Sequence, residues 1–154
     1  MRSLTYKYRG ARATIILHER EMRRFLNIWR EAKGKGIILP VTDDSSYKSL
    51  EALLHHVLRA SRGYIIWMCQ VLNLPDLEIR KTPGTDTIEA EADDYLEYLL
   101  ERWKFPLVDI TEEQAHIPTY TSRWKVEYCI DSMLEHAVMH PIRHSFQLEE
   151  LIAS

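Results

Sequence analysis

Two cysteines, five glycines and six prolines in 154 residues leave several protein classes without their raw material. So few glycines and prolines exclude collagen-like and low-complexity chains. Cys69 and Cys129 form no Cys-x-x-Cys pair and fall in an expected helix interior and an expected helix start. Both read as reduced, structural thiols. Long apolar runs are also missing. The longest, Tyr64 to Cys69, falls far short of the roughly 20 residues that span a bilayer, and no secretory apolar segment precedes the first charges. A cytoplasmic location with no membrane partner is therefore expected. Nor is there an excess of positive charge: 20 Lys and Arg against 23 Asp and Glu give a net charge of −3. A chain without a global positive field is a poor collector of phosphates, so no nucleic-acid partner is expected.

What is present is ordinary globular composition, 45% hydrophobic and 28% charged. That length suits a single domain, residues 1–154, able to bury about two-thirds of its unfolded surface. Ile15, Met22, Phe25, Leu26 and Trp29 recur at helical spacing and predict a first helix over 12–33, stopped by Gly34, Gly36 and Pro40. Ser46 is placed to cap a second helix over 46–73, with Leu50, Leu53, Leu54, Val57, Tyr64, Ile65, Met68 and Leu72 inside. Asp86 and Glu89 resemble a capping box for a third helix, which carries Ile88, Tyr95, Leu99, Leu100 and Trp103 and ends before Pro106. Residues 106–128 lack a helical period, and the alternation of Trp124 to Tyr128 suits an extended surface segment, so a long connector precedes the last helix. That helix is expected over 130–152. Four apolar-faced helices without βαβ alternation predict an all-α, single-domain four-helix bundle.

The histidines carry the chemistry. His136, His140 and His144 stand at i, i+4 and i+8 on the last helix and form one stripe. Chance alone yields about 0.01 such triples in a chain of this composition, so the triple is informative where a pair would not be. Met133, Ala137, His140, His144, Leu148 and Leu151 share a face, which aims His140 and His144 into the bundle and leaves His136 at the edge. On the second helix, His55 projects beside Glu51, Arg59 and Arg62, whereas His56 projects beside Ala52, Ala60, Gly63 and Trp67. His56 is thus the inward candidate. Three neutral imidazoles from two helices would make a tripod with open positions, as in catalytic rather than closed structural zinc sites. The plainer alternative is core histidines bonded to carboxylates or carbonyls. His18, on the inner stripe of the first helix, is read as a satisfied core residue or as a ligand or ligand neighbour, and His116 as exposed. Pro141 frees the carbonyl of Ala137, which either receives a ring N–H or water or simply marks a bend.

Two segments, Leu53-Leu54-His55-His56-Val57 and Met133 to Leu148 with its His140-Pro141-Ile142-Arg143-His144-Ser145-Phe146-Gln147 core, resemble the DinB-like (YfiT-like) superfamily of metal-dependent four-helix bundles. Members carry one His on helix two and a His-x-x-x-His pair on helix four, commonly followed by Arg-Gly-Gln. The resemblance maps these onto His56, His140, His144 and Gln147, with Ser145-Phe146 where the family often has Arg-Gly. It implies an up-down-down-up bundle, frequent homodimers and a divalent metal, zinc foremost with nickel, manganese or iron as alternatives. Gln147, three residues after His144, is placed either to orient an imidazole or bound water or to bond a neighbouring helix.

Relatives include bacillithiol S-transferases, mycothiol-dependent isomerases and proteins assigned as metal hydrolases. The expectation is accordingly an enzyme that uses the metal to activate a low-molecular-weight thiol or water against a small-molecule electrophile. Glu135 lies beside the stripe and reads as a surface residue, so no general base is assigned. The competing expectations are a non-catalytic metal-binding or stress-related module with the same three histidines, and a structural bundle without metal.

Overall fold

The computed structural model describes residues 4–154; residues 1–3 of the expected 1–154 domain lie outside the described residues. The fold is all-α. Its long helices are α1 (Arg9–Gly34), α2 (Leu50–Val71), α3 (Ile88–Trp103) and α5 (Ile130–Ala153); α4 (Glu112–His116) is a single short turn. Strands β1 (Tyr120–Thr121) and β2 (Glu127–Tyr128) form an antiparallel hairpin in which Tyr120 faces Tyr128.

On α1 the buried residues Ala11, Ile15, His18, Met22, Phe25, Leu26, Trp29 and Ala32 repeat every three or four positions and present one face to the core. The helix ends where Gly36 takes φ of 65° and the Ile37 N–H returns to the Ala32 carbonyl at 3.0 Å. α1 packs along α5, and α2 packs against both α5 and α3. Trp29, Trp103, Tyr95, Phe25 and Met22 fill the shared core. The Trp29 indole N–H donates to the Leu50 carbonyl at 2.6 Å, tying α1 to the first turn of α2. Among the described residues no helix is long and apolar enough to cross a membrane.

Three local expectations are corrected. Ser46 does not cap α2. Ser49 does, its hydroxyl accepting the Ala52 N–H at 2.9 Å, while Ser46 lies in a 3-10 turn over Ser45–Tyr47. Asp86 and Glu89 form no capping box: α3 follows Thr87 without a side-chain cap, and the Ile88 N–H bonds instead to the Gly84 carbonyl at 2.9 Å. The connector is not an extended strap. It contains α4, held by a reciprocal capping box between Thr111 and Gln114, and then the hairpin. Lys125 reverses the chain with φ of 64°, so Trp124 and Lys125 belong to the turn and only Glu127 and Tyr128 of that alternating run pair as strand. The hairpin is pinned to the helices through the Trp67 indole N–H, which donates to the Thr121 carbonyl at 3.3 Å.

Candidate metal centre

His140 and His144 sit one turn apart on the buried side of α5, and His56 faces them from α2. The Nε2 atoms of His56 and His140 are 3.0 Å apart. Ring centroids lie 4.8 Å apart for His56 and His140, 5.2 Å for His56 and His144, and 4.7 Å for His140 and His144. One ring nitrogen from each histidine lies within 4.8 Å of the other two.

Two of the rings are held from behind. His144 Nδ1–H donates to Gln147 Oε1 at 2.8 Å, and the Tyr47 hydroxyl donates to the same oxygen at 3.5 Å. His56 Nδ1 meets the Ser46 hydroxyl at 3.2 Å, and Ser46 is fixed by its backbone N–H to the Asp44 carboxylate at 2.9 Å. The Gln147 bond leaves the Nε2 lone pair of His144 available, and the Ser46 contact holds His56 with Nε2 turned to His140, the arrangement by which outer hydrogen bonds orient metal-ligating imidazoles. His140 Nδ1 is buried and makes no hydrogen bond, so the carbonyl freed by Pro141 does not receive this ring.

Burial pushes the His140 pKa down to about 2, helped by the neighbouring His144, His56, His136 and Arg143. Burial also lowers His56, against the pull of Asp44, and lowers His144, against the Gln147 hydrogen bond. All three rings are therefore neutral at pH 7, the state in which an imidazole offers a lone pair to a cation. The donor set fits a metal. Zinc–nitrogen bonds of 2.0–2.1 Å in tetrahedral geometry put ligand nitrogens roughly 3.3 Å apart. Two neutral rings that meet through the same nitrogen also need a proton between them, a requirement that a shared cation removes.

The remaining histidines are not among the three that converge, although His136 lines the same cavity as His56 and His140. His136 stacks on Trp124 at 5.2 Å and stands edge-on to Tyr64 and Tyr128 at 5.3 and 5.6 Å, outside the converging group. His18 is buried against Trp103, with ring centroids 3.8 Å apart, and its Nε2 meets the Ser61 hydroxyl at 3.0 Å. It too is outside the group. His55 donates from Nδ1 to the Pro83 carbonyl at 2.8 Å, and His116 is exposed beside Tyr8. Sequence reasoning missed Ser46 and Tyr47 as supports because nothing in their local pattern announces contact with residues 10 and 100 positions away.

A cavity of about 440 Å³ opens beside the centre. His56 and His140 line one side, with Tyr64, Trp67, Met133 and Trp124 as apolar walls and Arg59 and Arg123 among the polar lining. Trp124 and Arg123 arrive from the hairpin turn, which also went unread in the sequence because two-residue strands carry no usable period.

Gln147→Leu is expected to weaken metal binding about tenfold or more while the helical circular-dichroism signal is unchanged, since the variant frees His144 Nδ1 without opening the core. Competition with a chromogenic chelator measures this, and unchanged affinity would assign Gln147 to packing alone. No family model, curated protein or solved structure matches the chain.

Proposed function

We propose that the chain is an up-down-down-up four-helix bundle of the DinB-like type that holds one divalent ion, zinc foremost, on His56, His140 and His144. We further propose that it is an enzyme, directing a thiol or water at a small electrophile. The observation that supports this most is the convergence of three neutral imidazoles, two of them oriented from behind, on the wall of an open cavity. A bound ion would supply the Lewis acidity that makes a thiol or water nucleophilic at neutral pH.

The chain's own residues do the rest. Ser46 and Gln147 set the ring orientations. Trp67 and Trp124 give the cavity apolar walls. Tyr64, pushed up to about 12 by burial, stays protonated at neutral pH and supplies no base. Among the described residues no carboxylate lines this cavity. With no carboxylate there to act as base, proton loss would fall to the ion's acidity, which would act on a thiol more fully than on water. The same lack of a base favours, as a second reading, a non-catalytic metal-binding module. A cytoplasmic location and homodimer formation belong to the same proposal.

Elemental analysis of purified protein, followed by a screen of low-molecular-weight thiols with an aromatic electrophile, with and without chelator, tests it. Turnover that needs both metal and thiol is the expected result. Metal without turnover supports the non-catalytic module, and absence of metal overturns both.

A further inference from the structure

The charges around the cavity run against those of the whole chain. Acidic residues outnumber basic ones overall, yet Arg59 and Arg123 line the cavity and no carboxylate does among the described residues. Neither guanidinium is in an ion pair among the described residues, so both are available to an incoming anion. Two exposed arginines without paired anions beside an open, largely apolar cavity are a ready receptor for one, because the planar guanidinium fork matches a carboxylate's two oxygens.

Position supports this. A Cβ added to Gly63 would lie 3.9 Å from Arg123 Nη1, so the Arg123 side chain reaches back from the hairpin turn over α2 at its glycine. The turn itself is anchored. Trp124 stacks on His136 and stands edge-on to Tyr64 and Tyr128, while Trp67 holds Thr121. A guanidinium carried on an anchored turn loses less freedom on binding than one on a free loop. Cavity volume fits a small molecule with one or two rings. The indoles of Trp67 and Trp124 offer flat apolar surface for such a body.

From these features we infer that the cavity takes a small carboxylate with a flat apolar body, its anionic end held by Arg59 and Arg123 and its rings against Trp67 and Trp124. The inference rests on the proposed metal chemistry only for what happens to the molecule beside His140; recognition is the work of the arginines and indoles.

Isothermal titration of the full chain with 2-naphthoate and with its uncharged amide, 2-naphthamide, at low ionic strength and in the presence of chelator, tests it. The expected result is binding of naphthoate about tenfold or more tighter than naphthamide. Arg123→Gln and Arg59→Gln each remove most of that preference, and Arg80→Gln, remote from the cavity, does not. Equal affinity for the two probes in the unaltered protein overturns the inference, as does a preference that survives both cavity substitutions. A preference that appears only without chelator places the carboxylate on the ion and overturns the assignment to the arginines. Since the titration is run without metal, its failure leaves the three-histidine reading untouched, and failure of that reading is seen separately by elemental analysis.

Discussion

Replacing His140 and His144 together by alanine is expected to leave a folded protein that retains no stoichiometric divalent metal after dialysis. The two residues supply two of the three converging nitrogens, and His56 alone is a single neutral donor on a half-buried helix face. Folding should survive, because neither ring bonds a core backbone group: His144 bonds Gln147, His140 meets His56, and His140 Nδ1 is unsatisfied even in the intact protein. Removing a buried polar atom that has no partner relieves part of the cost of its desolvation. The same elemental analysis should find metal lost in His56→Ala and kept in His136→Ala, whose ring is engaged with Trp124. A double variant that keeps its metal would refute the three-histidine assignment.

The second large effect is acid destabilisation through His18. Its ring is 1% exposed, and burial lowers its pKa from 6.5 to about 3. In the unfolded chain the residue titrates near 6.5. The folded state thus binds fewer protons below that value, and stability present above pH 6.5 is lost as pH falls from 6.5 toward about 3. The slope from this group alone approaches about 1.4 kcal/mol per pH unit, so roughly 2 kcal/mol is gone by pH 5. Denaturant melts at pH 7.5 and pH 5 measure it. His18→Gln, which keeps a polar partner for Ser61 and does not titrate, should flatten the difference by about that amount. An unchanged pH dependence in the variant would mean that His18 is not held neutral by burial.

His18 also shows where sequence reading stops. A helical wheel places it inward on α1, and inward it is, but the wheel says nothing of what it meets. The ring meets Trp103 and Ser61 rather than the imidazoles of α2 and α5. His140 and His144 are more legible because they share a face with Met133, Ala137 and Leu148, all buried, so one strong period fixes their direction. His56 could be told from His55 by the company of Ala60 and Gly63, which line the same cavity. Ser46 and the hairpin were not legible. A serine ten residues before a histidine has no periodic relation to it, and a strand of two residues is too short to display alternation. The α4 capping box, Thr111 to Gln114, was present in the residues but hidden by the lack of an apolar run after it. The same local ambiguity moved the start of α2 from Ser46 to Ser49, since both are serines ahead of a leucine-rich helix.

His56 and His140 lie 84 positions apart in the chain and 3.0 Å apart in the fold. An unfolded polypeptide cannot offer both to one ion without closing a loop of that length, which only the packed helices do at no further cost. A cation that binds this site therefore binds the native state and hardly the denatured one. Its free energy of binding then adds to the free energy of folding, by about 2.7 kcal/mol when free metal stands at a hundred times its dissociation constant. If the site binds such an ion, the thermal midpoint of the protein becomes a gauge of the metal around it, rising with each increment of the ion and falling as a chelator withdraws it.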